Sequence, residues 1–321
     1  MTTSVRGIES FTVVVPSFNE AATLRTNIEA VRAYLVGRTP LAKWTIVIVD
    51  DASADETPAI AAELAREDER IQVVRRASNG GVDAAIRSGI EMVESDAVVV
   101  LDADLSYAAP IVGALLEILT REEAEVALAS AYAPGGEVRN VPGLRALLSR
   151  WANRFLAYAV NERVRTFTCI VRAYRTAALR ELIARHPGGD MTHGILLEAL
   201  RLGMSVCEVP ACLEWAPQRR SRMGLRAIAR RTGSVLSGAL RQRPSLALVI
   251  PGLVPGILPL AILLAFLAHA TPAQVGIVAS ATFFIQTASL FVLGFHSTNF
   301  ALRTLLARRT DNERHVVRNN T

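Results

Sequence analysis

Cysteine is scarce in this sequence, and the few cysteines present fit no metal site. The 321 residues include 3 cysteines, Cys169, Cys207 and Cys212. Their spacing matches none of the paired Cys or Cys/His patterns that bind zinc. Free thiols are the ordinary state of cysteine in a reducing compartment. We therefore predict that the cysteines are reduced and structural.

An export signal and internal repeats are also missing. Residues 1–10 contain no apolar core of the kind that a cleavable signal peptide requires. We therefore expect the N-terminal part of the chain to stay on the cytoplasmic side. No internal repeat or low-complexity segment interrupts the sequence, so nothing in it indicates a repeat architecture.

Charge is absent from two apolar segments near the C-terminus. Residues 245–268 and 275–295 contain no Asp, Glu, Lys or Arg, and each is long enough to cross a bilayer core, which takes about 20 residues. The link HATPAQ between them is short. The pattern predicts a hairpin of two transmembrane helices. Gln286, in the second segment, could bond a neighbouring helix in a homo-oligomer or bond its own backbone, and the sequence favours neither.

Arginines flank both apolar segments. Those before the first are Arg230, Arg231, Arg241 and Arg243, and those after the second are Arg303, Arg308, Arg309, Arg314 and Arg318. Basic residues close to a membrane span usually remain cytoplasmic. We therefore expect a multi-pass membrane protein with two spans, whose N-terminal domain and both termini are cytoplasmic. Attraction to anionic lipids accounts for the net charge of +5, so membrane lipids are expected partners and nucleic acid is not.

Residues 220–243 carry apolar side chains at helical spacing between arginines. This pattern predicts an amphipathic helix at the membrane interface, although a helix packed on the N-terminal domain would show the same pattern. The chain then divides into four regions. These are an N-terminal domain (1–219), a juxtamembrane helix (220–244), two transmembrane helices (245–302) and a basic cytoplasmic tail (303–321).

The N-terminal domain alternates predicted strands and helices. Strands are predicted at 11–17, 44–51, 71–76 and 97–104, and helices at 21–36, 55–66 and 82–93, with Asn19 as the cap of the first. Repeated strand–helix–strand units indicate an α/β fold with a mostly parallel, Rossmann-like sheet and helices on both faces. Ligands of such sheets bind beyond the carboxyl ends of the strands.

Polar clusters follow three of these strands: PSFNE, DDASADET and DADLS. Taken singly, each is an ordinary turn or helix-cap sequence. Taken together, they place several carboxylates at one edge of one sheet, where their repulsion must be offset by a cation or by ligand donors. A hard divalent ion such as Mg²⁺ or Mn²⁺, shared with the phosphates of a substrate, suits such a site.

The series VVVPSFNEAATL, IVIVDDASADET, NGGVDAAIRSGI, VVVLDADLSYAAP and EVP resembles the family-two inverting glycosyltransferases with a GT-A fold. Within that family it is most similar to the polyprenyl-phosphate glycosyltransferases, the relatives of dolichol-phosphate mannose synthase. The resemblance covers residues 9–223. It implies a nucleotide-diphosphate-sugar donor, a divalent metal (Mg²⁺ or Mn²⁺) and a polyprenyl-phosphate acceptor, and a C-terminal pair of membrane helices is a known arrangement in the group.

The resemblance also implies roles for particular residues. On the donor side these are Pro16, Asn19 and Glu20 in the first nucleotide-binding loop, Asp51 with its neighbour Asp50 at the nucleobase or ribose, Asp102 and Asp104 at the metal and donor phosphates, and Ser106 as a further metal contact. On the acceptor side they are Arg172 at the phosphate, Asp190 and Glu198 on the following segment, and the basic cluster of Arg219, Arg220 and Arg222. Asp104, Arg172 and Asp190 are the expected catalytic residues.

The sequence departs from the family pattern on the acceptor side. Ala131 stands where an arginine that binds phosphate is usual, Thr166 replaces an aspartate, and Ile170 replaces a glycine. Arg222 occupies a position where lysine is usual, and its neighbours Arg219 and Arg220 could supply the missing positive charge.

The expected reaction is a single in-line displacement at the anomeric carbon of the sugar, with inversion. A phosphomonoester carries a charge of roughly −1.5 to −2 near neutrality, so a polyprenyl phosphate would attack without a general base. Two alternatives remain open. One is a processive polysaccharide synthase, although the sequence lacks the Gln-x-x-Arg-Trp segment and the additional spans of such enzymes. The other is a catalytically silent, membrane-anchored protein that binds nucleotide sugars.

Overall fold

The computed structural model describes residues 7–38, 43–160, 164–185 and 190–215. Within these ranges no helix is both long and apolar enough to cross a membrane. The predicted juxtamembrane helix, the two spans, the basic tail and the cluster of Arg219, Arg220 and Arg222 lie outside the described residues. Their placement, and the domain boundaries drawn around them, stay predictions.

A seven-stranded sheet forms the centre of the described domain. In chain order the strands are β1 (Ser10–Ser17), β2 (Lys43–Asp50), β3 (Ile71–Arg75), β4 (Ala97–Val100), β5 (Val126–Ser130), β6 (Glu137–Arg139), β7 (Arg172–Arg175), β8 (Val206–Pro210) and β9 (Cys212–Glu214). The order across the sheet is β3-β2-β1-β4-β7-β5-β8, and β6 pairs with β9 in a separate small sheet. Strand β7 runs antiparallel to both of its neighbours, whereas the other pairs of the large sheet are parallel. The predicted α/β fold with a mostly parallel sheet is confirmed.

Helices cover both faces of the sheet. They are α1 (Leu24–Arg38), α2 (Thr57–Glu67), α3 (Val82–Ile90), α4 (Ile111–Arg121), α5 (Gly143–Val160), α6 (Thr176–Arg185) and α7 (His193–Arg201). Val13 and Val15 of β1 pack in the core formed with α1, α2 and α4, while Val14 packs in a second core with α3, α6 and α7. Burial on both faces explains why β1 is a continuous apolar run rather than an alternating one.

The structure corrects three predicted boundaries. Helix α1 begins at Leu24, and Asn19 lies outside it with φ 54°, so Asn19 is not its cap. Helix α3 ends at Ile90 instead of residue 93. Strand β4 ends at Val100, and the aspartates that follow belong to a loop in which Leu105 takes a left-handed backbone conformation, φ 49°.

Close packing of α3 on the sheet depends on Gly89. A Cβ at this position would lie 2.9 Å from Val49 Cγ2 and closer still to Val14. Gly89→Ala is therefore expected to lower the free energy of unfolding by about 1–2 kcal/mol, because the cost of overpacking exceeds the gain in helix propensity. Thermal unfolding measures the change. Gly37→Ala in α1, where nothing lies within 4 Å of an added Cβ, is the matched control and should not lower the midpoint.

Candidate active site

Polar residues from several strands meet at one edge of the sheet. Strands β1, β2 and β4 are parallel neighbours, and Ser17 at the end of β1 pairs with Asp50 at the end of β2. Strand β7 runs the other way, so its first residue, Arg172, pairs with Val100 near the end of β4 and with Leu128 in β5. The ends of β1, β2, β4 and β5 and the start of β7 therefore share this edge.

The loops after β1 and β2 are bonded to each other. The Asn19 backbone N–H donates to Ser53 Oγ at 2.8 Å, and Asn19 Oδ1 accepts from the Ala54 N–H at 2.9 Å. The Glu20 N–H donates to Thr57 Oγ1 at 2.7 Å. Asparagine tolerates the left-handed backbone that Asn19 adopts. The structure thus brings Asn19 and Glu20, two residues of the predicted nucleotide-binding loop, against the segment that follows Asp51. The third, Pro16, lies within β1 opposite Val49.

Asp50 is wholly buried beneath this loop pair. Its Oδ1 accepts from the Ser53 N–H at 3.1 Å, and its Oδ2 lies 3.5 Å from Nε of Arg75. Burial of an ionised carboxylate is unfavourable unless such partners offset it. The side chain has no surface to offer a ligand in this arrangement, so its visible role is to hold the loop after β2.

Asp51 is 2% exposed and is surrounded by donors from the loop between β3 and α3. Its Oδ1 accepts from the Arg76 guanidinium and from the Gly80 N–H at 3.1 Å, and its Oδ2 accepts from the Gly81 N–H at 2.7 Å. An added Cβ at Gly80 would lie 2.8 Å from Arg76 Nη2 and from Ala84 Cβ, so a glycine is needed for the guanidinium to lie there. A bound nucleotide would have to share Asp51 with these donors.

Sequence reasoning missed Arg76. Its signal was present, because Arg76 directly follows the end of β3, and strand ends of this sheet are where ligands bind. The structure makes it the nearest described cation to Asp51.

Asp102 and Asp104 lie in the loop after β4, and both are partly exposed. The Ser106 hydroxyl donates to Asp102 Oδ2 at 2.9 Å, and the Ser106 N–H donates to Asp104 Oδ1 at 3.0 Å. Asn27 of α1 fixes the same loop by donating to the Ala103 carbonyl at 2.8 Å. One serine therefore orients both carboxylates.

This pair of carboxylates fits a divalent metal that is shared with a substrate. Mg²⁺ is typically held by one or two carboxylates together with the phosphates of its substrate. Within the described ranges no group of three His, Cys, Asp or Glu side chains could hold a metal without help from a ligand. Ser106, predicted as a metal contact, holds the two acids in this structure.

Two buried, uncharged side chains lie behind Asp102. Burial, with a smaller contribution from the Asp102 carboxylate, raises the pKa of the Cys169 thiol to about 12. Burial also raises the pKa of the Tyr107 phenol, and the neighbouring Cys169 adds to the effect. Both groups are neutral at physiological pH, so the negative charge in this part of the site comes from the aspartates.

The acceptor-side segment 164–171 is fixed by contacts to β5 and β8. The Thr166 N–H donates to Glu208 Oε1 at 2.9 Å, and the Thr166 hydroxyl lies 2.6 Å from that of Ser130. The position after Ser130, Ala131, is 5% exposed, and an added Cβ at Gly136 would lie 2.8 Å from its carbonyl carbon. The turn therefore packs tightly where the family usually has an arginine.

Arg172 lies inside the domain. It is 0% exposed, and its guanidinium donates to the Phe167 carbonyl at 2.9 Å and to the Thr192 carbonyl. Its Nε has no hydrogen-bond partner among the described residues. Central placement of β7 between β4 and β5 explains the burial. The guanidinium thus bonds protein carbonyls from two segments of the acceptor side, and contact with phosphate stays a prediction.

Asp190 lies just before α7 and Glu198 lies within it, and both carboxylates accept hydrogen bonds from nearby groups. Asp190 Oδ1 accepts from the backbone N–H groups of Thr192 (2.7 Å) and His193 (3.0 Å) and from the Thr192 hydroxyl, so this carboxylate fixes the turn that leads into α7. Glu198 forms a double hydrogen bond with Arg201, at 2.8 and 2.6 Å.

The chain is similar to two proteins that are named as sugar transferases. The chain is 33% identical over 216 residues to a polyprenol monophosphomannose synthase from Mycolicibacterium smegmatis, covering 64% of this chain and 78% of the relative. It is 32% identical over 140 residues to a dolichol-phosphate mannosyltransferase from Pyrococcus furiosus, covering 44% of this chain and 38% of the relative. The chain thus spans well under two thirds of the second relative.

Solved structures share the fold. The mannosyltransferase PcManGT from Pyrobaculum calidifontis, in complex with GDP-Man and Mn²⁺, matches with a TM-score of 0.55 at 17% identity, over 90% of this chain and 87% of the other. Glucosyl-3-phosphoglycerate synthase from Mycobacterium tuberculosis, in complex with Mn²⁺, UDP and phosphoglyceric acid, matches with a TM-score of 0.55 at 20% identity. The match covers 73% of this chain and 78% of the other. The expected GT-A-like fold is confirmed. The model of glycosyl transferase family 2 matches residues 12–183, more than half of the chain, and the protein belongs to this family.

Proposed function

We propose that this protein transfers a sugar from a nucleotide-diphosphate donor to a polyprenyl phosphate at the cytoplasmic face of a membrane. The observation that carries the proposal is the placement of Asp102 and Asp104, oriented together by Ser106, on the same sheet edge as the paired loops after β1 and β2. The names of the polyprenol and dolichol-phosphate relatives support the choice of acceptor.

The donor would bind along the loops after β1 and β2. Asn19 and Glu20 are fixed there by three hydrogen bonds to the opposite loop, so the backbone that receives the nucleotide is preorganised. Asp51 and Arg76 present a carboxylate and a guanidinium at the end of β2 and β3, which together can satisfy the donor and acceptor groups of a nucleobase edge or of a ribose.

Asp102 and Asp104 are the residues that would hold Mg²⁺ or Mn²⁺ with the donor diphosphate. When bound there, the metal supplies positive charge that stabilises the leaving nucleoside diphosphate. The contribution of the chain is to fix the two carboxylates through Ser106 and through the bond from Asn27 to Ala103. Preorganisation of this kind avoids reorganisation at the moment of reaction.

The acceptor phosphate would attack the anomeric carbon directly and invert it. A phosphomonoester is already anionic near neutrality, so the mechanism needs no general base. Asp190 Oδ1 accepts three hydrogen bonds just before α7. Asp190 then acts by holding the turn before α7.

One experiment tests the function. The full chain in detergent would be incubated with polyprenyl phosphate, Mn²⁺ and a panel of UDP- and GDP-sugars, and lipid products would be identified by mass. We expect one sugar to appear on the lipid phosphate. Release of nucleoside diphosphate without a lipid product would contradict the acceptor, elongating chains would indicate a processive synthase, and no release with any donor would indicate a silent binding protein.

Topology gives a separate prediction. In a variant whose native cysteines are replaced by alanine, Thr271→Cys should react only with reagents on the far side of the membrane, and Asp311→Cys only with reagents on the cytoplasmic side. The reason is that a hairpin of two spans puts its link opposite its flanks. Labelling of intact cells with an impermeant maleimide measures both. Equal labelling of the two positions from one side would show that the apolar segments do not form such a hairpin.

A further inference from the structure

Helix α5 exposes an apolar and basic face. Leu147 and Trp151 are 52% and 66% exposed, and Arg150 and Arg154 are exposed beside them. At about 100° per residue these four positions fall within one third of the helix circumference. Trp151 is the most exposed large hydrophobic side chain among the described residues. Exposed apolar side chains rimmed by charged ones are typical of interaction surfaces.

The charged side chains on this face are all basic. Helix α5 contains no acidic residue, and neither Arg150 nor Arg154 forms an ion pair in the part of the chain that the structure describes. Four other exposed arginines do pair with glutamates. They are Arg121, Arg139, Arg185 and Arg201. The α5 face therefore keeps its positive charge available to an anionic partner.

Buried positions of α5 anchor the helix to the acceptor-side segment. Leu156 is 0% and Asn153 is 2% exposed. Asn153 Oδ1 accepts from the N–H groups of Phe167 (2.6 Å) and Thr168 (3.1 Å), and its Nδ2 donates to Thr168 Oγ1 at 3.1 Å. The Phe167 carbonyl in turn accepts from Arg172. The helix that carries the exposed face is therefore the one that fixes the segment with the acceptor-side residues.

We propose that α5 docks on a bilayer that contains anionic phospholipid. Leu147 and Trp151 would enter the interface, where tryptophan is enriched because its ring is amphipathic, and Arg150 and Arg154 would contact headgroup phosphates. This surface is distinct from the predicted juxtamembrane helix at 220–244. The proposed docking rests on the proposed function in one respect, because it assumes an acceptor that is carried in the membrane. Docking of α5 would hold the segment at Phe167 and Thr168 against the bilayer from which that acceptor comes.

The first test measures the depth of Trp151. Full-length protein would be placed in nanodiscs of phosphatidylcholine and phosphatidylglycerol whose acyl chains are brominated close to the headgroup. We expect the lipid bromines to quench tryptophan fluorescence, and Trp151→Phe to remove most of the quenching. Trp44→Phe is the matched control, because Trp44 is 7% exposed and stacks with Arg70, and it should leave the quenching in place. Equal quenching in Trp151→Phe and wild type would overturn the proposal. A crosslinked dimer in which Trp151 is buried between two copies of the chain would also overturn it.

The second test separates docking from chemistry. In nanodiscs with long-chain polyprenyl phosphate, Arg150→Gln/Arg154→Gln should raise the apparent acceptor constant by about thirtyfold, since basic residues near an anionic surface contribute about fivefold each. Leu147→Glu/Trp151→Glu should raise it at least as much. With a short-chain, water-soluble acceptor in detergent, both should match wild type. Val36→Glu/Met92→Glu, at two other exposed hydrophobic residues, is the control and should change neither constant.

Failure of the docking and failure of the proposed function give different results. If wild type makes no lipid product, the function is wrong, and the fluorescence measurement still decides whether α5 lies on the bilayer. If wild type makes the product but the α5 variants keep the wild-type acceptor constant in nanodiscs, the docking is wrong and the function stands.

Discussion

Asp104→Asn is expected to reduce sugar transfer by about 10²–10³-fold, which corresponds to the several kcal/mol that a bound metal contributes to charge stabilisation. The substitution removes the negative charge and leaves an amide oxygen in place. That oxygen can still accept from the Ser106 N–H, which lies 3.0 Å from Asp104 Oδ1. The loop should therefore keep its shape, and the loss should appear in turnover with little change in thermal stability. Transfer rates with Mn²⁺ titrated, together with a melting curve, measure both quantities.

The matched control for Asp104 is at the other end of the same strand. Asp96 precedes β4, and its Oδ2 accepts from the N–H groups of Glu9 (3.1 Å) and Ser10 (2.9 Å). Asp96→Asn also neutralises a carboxylate, but at the sheet edge remote from the donor loops, and it should keep near wild-type turnover. If Asp104→Asn retained wild-type turnover with Mn²⁺ present, the loop after β4 could not be the metal and diphosphate site.

The sequence predicts the donor-binding half of the site well, because the patterns that indicate its strands and helices are local. Apolar runs rich in β-branched residues predicted β1 to β4, and the order of strands and helices predicted their parallel pairing. Once these strands are parallel, the residues that follow them must share an edge. This is why the sequence alone predicts that Asn19, Asp51 and Asp102 lie at one edge of the sheet.

Side-chain partners could not be predicted in the same way. Nothing in the spacing of Ser106 shows that its hydroxyl and its N–H bond two different aspartates, because this depends on the left-handed backbone at Leu105. The pairing of Arg76 with Asp51 depends on the absence of a Cβ at Gly80. Both features arise from the backbone conformation of loops, which hydrophobic periodicity does not report.

The acceptor-binding half of the site is harder to predict from the sequence, because β7 is antiparallel to both of its neighbours. Antiparallel insertion between β4 and β5 puts the first residue of β7, not its last, at the functional edge. The family pattern suggests that Arg172 meets a phosphate. Its surroundings in the domain instead offer two backbone carbonyls, from Phe167 and Thr192. Substitution of Arg172 can distinguish a guanidinium that binds the acceptor phosphate from one that holds these two carbonyls.

Arg172→Met is expected to lower the free energy of unfolding by about 2–4 kcal/mol. Each buried carbonyl left without a donor costs about 1–3 kcal/mol, and removing an incompletely bonded buried charge offsets part of that loss. The same variant should lose most acceptor use, because the segments at Phe167 and Thr192 lose their common partner, while donor affinity falls little. Thermal unfolding, donor calorimetry and acceptor dependence of product formation, all in one variant, measure the three effects.

Arg172→Lys distinguishes a phosphate ligand from a positioning residue. Lysine keeps the charge but carries one compact ammonium in place of the planar fork that reaches two carbonyls. If Arg172 holds the two segments, the lysine variant should lose stability as well as acceptor use, and Arg165→Gln, at an exposed position of the same segment, should change neither. If Arg172 binds phosphate, the lysine variant should melt at the wild-type temperature and show only a weaker acceptor constant. The buried guanidinium and its two carbonyl partners favour the first result, because a group that is 0% exposed must give up its bonds to Phe167 and Thr192 before it can reach a ligand.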